Sequence, residues 1–271
     1  MRDNLAHIRR LPNRMLASLN QLIVSRQGNH QDAFMNTRDI GKALYPNITY
    51  QLEFTENNVP TLISCTMPQP RSTATIARKR PKHAVLRGTW LDAVHGAQSD
   101  AKILGGMGML VLDLDEDVSI PVLPANAEDL AFYHAQLLTV GSVLSFETEE
   151  ILPLTEVSIG KHYVEHYLAK TELGGGEYIE YHDQPPFWAP QQPQSGGHIL
   201  LGRQLGADYY FTGFHIPFGY AVYLSPYTLH SDAYLVGDYL VVYALSDHFS
   251  TVLLHGKQKI VQRLQFFAEE N

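Results

Sequence analysis

From Leu152 onward the chain carries a residue pattern that constrains it to a β-rich fold. Tyr and Val are frequent there, and Gly and Pro interrupt strand-length tracts about every 8–12 residues. This spacing is typical of the short strands and tight turns of a sandwich or barrel. A further strand is predicted over 48–54, where apolar and polar residues alternate. The sequence therefore predicts a mainly β protein.

Helical spacing of apolar residues is found in three shorter segments. These are residues 13–26, about 126–138 and 257–270, and we expect a helix in each of them. The distribution of strand and helix signals suggests two regions. Residues 1–150 are expected to form an α+β region that packs on or extends a barrel, and residues 151–271 are expected to form a β-barrel domain with a C-terminal helix.

The composition is that of a globular protein. Of the 271 residues, 45% are hydrophobic and 18% are charged, which allows a sizeable core. No apolar run is long enough to cross a membrane, and the N-terminal residues lack the apolar segment of a secretory signal. Cys65 is the only cysteine, so an internal disulfide is excluded. We expect a cytoplasmic protein with no membrane partner.

Charge is distributed unevenly along the chain. Residues 1–100 hold 13 basic and 7 acidic residues, a net charge of +6, and the remaining residues hold 7 and 21, a net charge of −14, which sum to −8. We favour attraction between the two halves as the reason. The basic segment 71–87 contains the cluster 78–83, which has no interleaved aromatic residues of the kind that nucleic-acid grooves use. Nucleic acid is therefore not the expected partner.

Two glycine-led segments place histidines at matching intervals. In the first segment, Gly176 is followed by five residues and then by His182, with Gln184 two positions further on. In the second, Gly219 is followed by five residues, by the tripeptide SPY and, after two more residues, by His230. The second segment reads as a strand, a turn at the proline and a further strand that begins near the histidine.

These two segments resemble the paired motifs of the cupin superfamily over roughly residues 150–255. The resemblance implies a double-stranded β-helix, or jelly-roll barrel, with His182 and His230 as metal ligands. Gln184 stands where the first motif has its second histidine, and the glutamate of that motif is missing. The candidate substitute ligands are Gln184, Glu180, His198, His215 and Asp232. A set of two histidines and one carboxylate suits Fe(II) or another divalent metal such as Mn, Ni or Zn.

The function that the resemblance implies is that of a metal-dependent enzyme acting on a small polar molecule, of dioxygenase, isomerase or lyase type. Glu180 or a tyrosine such as Tyr223 would move protons. His198, His215 and Tyr227 are predicted to contact the substrate. The alternative is a non-catalytic module that binds a small molecule in the same pocket. Because many cupin-like proteins dimerise through their barrels, the resemblance also makes a homodimer the default.

Two other histidine patterns are typical of different kinds of metal site. The segment HYVEH places His162, Glu165 and His166 in the order of an inverted zinc-protease motif, which requires a helix. Its aromatic and β-branched residues favour a strand instead, in which the two histidines would lie about 13 Å apart. The tripeptide HSD at 230–232 resembles the ligand pair of 2-oxoglutarate oxygenases, with His248 or His255 as the third ligand and Arg263 as the anchor of the co-substrate.

Two further patterns favour structural roles. The acidic residues of 113–117 could bind Mg²⁺ or Ca²⁺, but the glycine and distal glutamate of a calcium loop are absent. The glycines of 105–108 lack the lysine and hydroxyl residue of a phosphate-binding loop. We interpret the first segment as a polar strand edge and the second as a bulge or turn.

Overall fold

The computed structural model describes residues 26–66, 77–92, 107–243, 248–258 and 262–268. Within these ranges the protein is mainly β. The first ten strands are β1 Arg26–Gln27, β2 Phe34–Leu44, β3 Thr49–Phe54, β4 Pro60–Cys65, β5 Ala84–Leu91, β6 Met107–Leu112, β7 Val118–Pro124, β8 Ala135–Thr139, β9 Val143–Leu144 and β10 Leu152–Ile159. The next ten are β11 Tyr178–His182, β12 Phe187–Pro190, β13 Gly196–Gly197, β14 Ile199–Leu205, β15 Asp208–His215, β16 Tyr220–Leu224, β17 Leu229–Ser231, β18 Leu235–Val242, β19 Phe249–His255 and β20 Leu264–Ala268. Helix α1 spans Ala127–Phe132, and a π-helical turn spans Val164–Leu168.

Seven of these strands close into a barrel. Hydrogen bonds connect them in the order β14, β17, β11, β19, β6, β5 and β15, and β15 pairs back to β14. Strands β7 and β20 extend the sheet beyond β15. The pairs β19–β6, β15–β7 and β20–β7 are parallel, and the other pairs of this sheet are antiparallel. Closure removes the exposed edges that an open sheet would leave.

A second sheet lies against one side of this barrel. Its order is β1, β2, β10, β18, β12, β16 and β8, and β13 adds to β18. Trp188 on β12 packs against the ring of His230 on β17, at 5.3 Å between centroids, which shows that the two sheets face each other. A small sheet of β4, β3 and β9 covers the other face of the second sheet.

Alternation along the strands sorts side chains between two cores. On β12, Trp188 belongs to the main core, while its neighbour Phe187 belongs to a smaller core under the three-stranded sheet. On β16, Val222 and Tyr223 divide in the same way. Because successive side chains of a strand point to opposite faces, the second sheet is buried on both sides.

The strand predictions are confirmed in outline, and the predicted strand at 48–54 is β3. Strands from both predicted regions pair directly, since β2 hydrogen-bonds to β10, and β5 to β15. The helix predicted over 13–26 falls almost wholly on residues outside those described. Among the described residues, none of the helices has the length and apolar character needed to cross a bilayer.

Two helix predictions are corrected. The predicted C-terminal helix is wrong for Leu264–Ala268, which form β20 beside β7, because alternate residues Leu264 and Phe266 pack inward there. The helix predicted to reach residue 138 ends at Phe132. His134 adopts a positive φ of 57°, a left-handed conformation that stops a helix, and the chain continues as β8.

The segment that contains His162 and His166 is helical, so the preference for a strand is wrong. The N–H of His166 donates to the carbonyl of His162 at 2.9 Å, and the π-helical turn follows directly. Strand propensity is overridden because Tyr163 and Tyr167 stack on each other at 5.4 Å and are both buried in the main core.

Candidate metal centre

Two neighbouring strands bring three potential ligands to one face of the sheet. Glu180 on β11 lies directly opposite His230 on β17 in the antiparallel ladder. His182 is two residues beyond Glu180 and therefore points to the same face. The rings of His182 and His230 meet edge to face, with centroids 4.9 Å apart. Since His230 contacts Trp188, this face looks into the space between the two sheets.

The opposite face of β11 looks into the closed barrel. Tyr181 lies between Glu180 and His182 in the sequence and packs against Trp90 of β5 at 5.4 Å. Strand β5 is not adjacent to β11 in the ring, so this contact crosses the barrel interior. The alternation of β11 thus separates the histidines from an aromatic cavity inside the barrel.

Both histidines are held by hydrogen bonds that fix their tautomers. Nδ1 of His182 lies 2.5 Å from the carbonyl oxygen of Gln184, and Nδ1 of His230 lies 2.9 Å from that of Thr228. A carbonyl can only accept, so each Nδ1 carries the proton and each Nε2 keeps a free lone pair. Histidines that bind metals are oriented in this way.

Glu180 lies beside these lone pairs. Its Oε1 is 3.6 Å from Nε2 of His230, and its Oε2 accepts from the hydroxyl of Thr251 at 3.1 Å. Although Glu180 points inward, 23% of its side-chain surface remains accessible to water. Water can therefore reach the carboxylate.

Burial changes the protonation of all three groups. It raises the pKa of Glu180 to about 7, and the nearby Asp232 carboxylate adds to this rise. Burial lowers the pKa of His182 to about 4, and neighbouring His230 lowers it further. Burial also lowers the pKa of His230. Both imidazoles are thus neutral at pH 7, the state in which they can bind a metal.

The three residues fit a divalent metal. One donor atom from each of Glu180, His182 and His230 lies within 4.8 Å of the other two. Small side-chain rotations would bring all three to the bond length of about 2.1 Å that such ions take with nitrogen and oxygen. Two imidazoles and one carboxylate suit Fe(II), Mn, Ni or Zn.

A polar network surrounds this donor set. Tyr178, two residues before Glu180, donates its hydroxyl proton to Asp232 at 2.7 Å. Arg26 on β1 donates to the hydroxyl of Tyr163 at 3.2 Å, and its positive charge lowers the pKa of Glu180. Arg26 is 8% exposed, and its Nε has no hydrogen-bond partner among the described residues. Arg26 is therefore a buried, incompletely satisfied cation whose charge acts on Glu180.

Other predicted site residues lie elsewhere. The backbone of Gln184 orients His182, and its side chain is buried. Tyr223 points into the smaller core, where its hydroxyl accepts from the N–H of Glu147 at 3.3 Å. Tyr227 is 61% exposed and lies 6.3 Å from the ring of Tyr181. Tyr223 is thus on the face of the second sheet that turns away from His230.

His198 and His215 form a separate group. The His198 ring stacks on Tyr234 at 5.4 Å and touches Phe266 at 4.1 Å. Nδ1 of the exposed His215 lies 3.1 Å from the carbonyl of Gly197. Burial lowers the pKa of His198 to about 4, and His215 lowers it further. These contacts indicate a packing role for His198.

The stability of the protein is expected to depend on pH through His198. Its pKa of about 4 lies below the value of 6.5 for an exposed histidine, so unfolding takes up a proton between these values and stability falls as the pH falls. His198→Phe keeps the aromatic stack without the titration. From pH 6.5 to 4, the wild type should lose about 2–3 kcal/mol more unfolding free energy than this variant. Urea unfolding at both pH values measures the difference, and equal losses would show that His198 does not titrate on unfolding.

The other sequence patterns have structural roles here. In the oxygenase-like tripeptide, Asp232 accepts a hydrogen bond from Tyr178 and does not belong to the set of potential metal ligands that contains His230. Arg263, the expected anchor of the co-substrate, lies 3.6 Å from the buried Glu177. In the acidic segment, Asp115 accepts from the N–H of Gln258 at 2.9 Å. Of the glycine segment 105–108, residues 105 and 106 lie outside the described ranges.

Sequence reasoning missed the groups that support the donor set. Thr251 on β19 and Trp188 on β12 contact it, and the charge of Arg26 on β1 acts on Glu180, although these strands are far apart in the chain. Their sequence surroundings are ordinary strand residues, so only the strand pairing brings them together.

The chain gives no match when it is compared with the models of known protein families, with curated proteins and with solved protein structures.

Proposed function

We propose that the chain is a metal-dependent enzyme of cupin type that acts on a small polar molecule. The proposal includes a jelly roll made by β10, β18, β12 and β16 facing β11, β17, β14 and β15. The strand orders of the two sheets contain these two runs. Along the chain, β10, β11 and β12 alternate between the sheets, as do β16, β17 and β18. This alternation supports the proposed double-stranded β-helix.

The metal ligands in this proposal are Glu180, His182 and His230. The observation that carries it is the pair of Nδ1 hydrogen bonds to the carbonyls of Gln184 and Thr228, which leave both Nε2 lone pairs free beside an inward carboxylate. A structural core has no need to bury two histidines and a glutamate together, because each desolvated polar group costs stability.

A bound metal at this place would act as a Lewis acid or bind dioxygen. The protein residues would orient the substrate and exclude water. Trp188 closes the site from the side of the second sheet, and Thr251 holds one oxygen of Glu180. The hydroxyl of Tyr178 donates to Asp232, and this hydrogen bond fixes both side chains beside β11.

The substrate is proposed to carry a carboxylate or another small oxyanion. Arg26 is a buried cation whose Nε is unpartnered among the described residues, and its charge reaches Glu180. An anionic group on the substrate would supply the missing hydrogen bond and offset the cost of burying the guanidinium.

Calorimetric titration of the metal-loaded protein with a panel of small mono- and dicarboxylates tests this proposal. We expect at least one of them to bind, and Arg26→Met to weaken that binding by about 30-fold, because a charged hydrogen bond contributes about 2 kcal/mol. Arg87→Met is the matched control, since Arg87 pairs with Asp208 on the surface at 2.8 Å. Equal affinities in Arg26→Met and the wild type would contradict the role of Arg26. If a carboxylate binds but is not converted to a product, either in air or under anaerobic conditions, the result would favour the non-catalytic module that only binds a small molecule.

A further inference from the structure

A second group of potential metal ligands lies on the surface, apart from the site between the sheets. His162, Glu165 and His166 come from the helical segment after β10, and His30 comes from the turn between β1 and β2. The two segments are distant in the sequence and meet through backbone contacts.

The three residues of the helical segment face one another. Oε2 of Glu165 lies 3.5 Å from Nδ1 of His162 and 3.7 Å from Nε2 of His166. One donor atom from each residue lies within 4.8 Å of the other two. The centroids of the two imidazoles are 5.6 Å apart. In a strand, the two histidines would instead lie about 13 Å apart, which is too far for one metal.

The ring of His30 packs beside this group. It stacks on the ring of His166 at 5.0 Å, with an angle of 13° between the planes, and meets the ring of His162 edge to face at 4.6 Å. Nδ1 of His30 accepts from the N–H of Asp32 at 3.2 Å, so its lone pair already has a partner. His30 is thus a neighbour that holds the two imidazoles in place, and the three ligand atoms come from the helical segment.

The backbone holds these two segments together. The N–H of His162 donates to the carbonyl of Asp32 at 3.0 Å, and the N–H of Gly160 donates to that of Phe34 at 2.8 Å. Gly28 lies so close to the segment that an added Cβ would be 2.3 Å from the carbonyl oxygen of His166. The backbone of the helical segment is therefore held against the β1–β2 turn before any ion binds, which reduces the entropy lost on binding.

The ligand side chains are open to solvent. The side chains of His162 and His166 are 32% and 33% exposed, and that of Glu165 is 60% exposed. An ion could reach them without opening the fold.

We propose that His162, Glu165 and His166 bind a zinc-class divalent ion, with water as the fourth ligand. Two imidazole nitrogens and one carboxylate oxygen are ligands that Zn²⁺ prefers. The His30 ring packs on both imidazoles and would hold them in place around the ion. This surface site shares no residue with the metal site between the sheets, so each site can be removed without the other.

Titration with Zn²⁺ of the full chain, after removal of metals by chelation, tests the proposal. The His182→Ala/His230→Ala variant is used as the background so that only the surface site is counted. We expect one equivalent of Zn²⁺ to bind, and the further change His162→Ala/His166→Ala to weaken this binding by more than about 100-fold. His30→Ala removes the ring that packs on both imidazoles and should weaken the binding less, by about 10-fold. His83→Ala, which changes a histidine outside the group, is the matched control and should leave the affinity unchanged.

A second measurement covers the case in which the background variant fails to fold. When the buried site is intact, the His162→Ala/His166→Ala variant should bind one equivalent of Zn²⁺ less than the wild type does. Co²⁺ should likewise bind with one equivalent fewer in this variant, and the visible absorption of the bound ion should fall to match. An unchanged Zn²⁺ stoichiometry in that variant would overturn the surface site and leave the proposed enzyme site untouched.

Discussion

The His182→Ala/His230→Ala variant is expected to hold about one equivalent of metal less than the wild type. Removing both imidazoles leaves Glu180 as the sole member of the donor set, and a single carboxylate binds divalent transition metals weakly. The surface ligands are unchanged in this variant, so the whole difference in metal content belongs to the site between the sheets, where the affinity should be at least about 1000-fold lower. Elemental mass spectrometry of protein prepared without chelator measures the content.

This variant needs a control for its fold, because the two histidines are 8% and 1% exposed. His198→Ala removes another largely buried histidine that lies outside the donor set, so it should keep its metal. Glu180→Gln keeps the size of the side chain but removes the negative charge. It should keep the thermal transition of the wild type and lose about 10- to 100-fold in metal affinity. Full metal content in the double variant, with a native circular dichroism spectrum, would show that these histidines are not ligands.

Trp188→Ala is expected to cause the largest loss of stability. Trp188 is 1% exposed, belongs to the main core and contacts the ring of His230. Truncating a buried tryptophan removes its apolar burial and leaves a cavity, which together cost about 3–5 kcal/mol. Chemical unfolding of the metal-free protein measures the change. The loss of contact with His230 should also weaken metal binding.

Two further variants separate packing from hydrogen bonding. The indole N–H of Trp188 has no partner among the described residues, so Trp188→Phe gives up no hydrogen bond and should cost less than half as much as Trp188→Ala. Trp90 is the matched control, since it is half-buried and bonded through Nε1 to Ser250 at 2.9 Å. Trp90→Ala should cost about 1–2 kcal/mol less than Trp188→Ala. Equal costs at the two positions would contradict the placement of Trp188 between the sheets.

The periodic signals of the sequence predicted local structure well where one face is buried. The alternation around Tyr50 and Leu52 predicted β3, because these side chains pack under the second sheet. The same reasoning failed for 257–270, where the apolar spacing suited a helix and the pairing of β20 with β7 decided the outcome. A parallel pair between such distant segments leaves no local trace in the sequence.

The donor set could be predicted in part. His182 and Glu180 share a face in any strand, and the spacing of His230 from Gly219 pointed to a matching strand. The cross-strand pairing of Glu180 with His230 is a matter of register, which the sequence does not specify. Tyr223 was predicted to lie at the site but lies in the smaller core, for a related reason. A one-residue step along β16 decides which core a side chain enters.

The measurement that tests the central claim most directly is the metal stoichiometry of the His162→Ala/His166→Ala variant, purified without chelator and after reconstitution with Fe(II), Mn, Ni and Zn. This variant removes the surface ligands and leaves Glu180, His182 and His230 in place. We predict close to one equivalent of a single metal, which disappears when His182→Ala and His230→Ala are added. A protein that holds no metal under any of these conditions would contradict a metal centre between the two sheets.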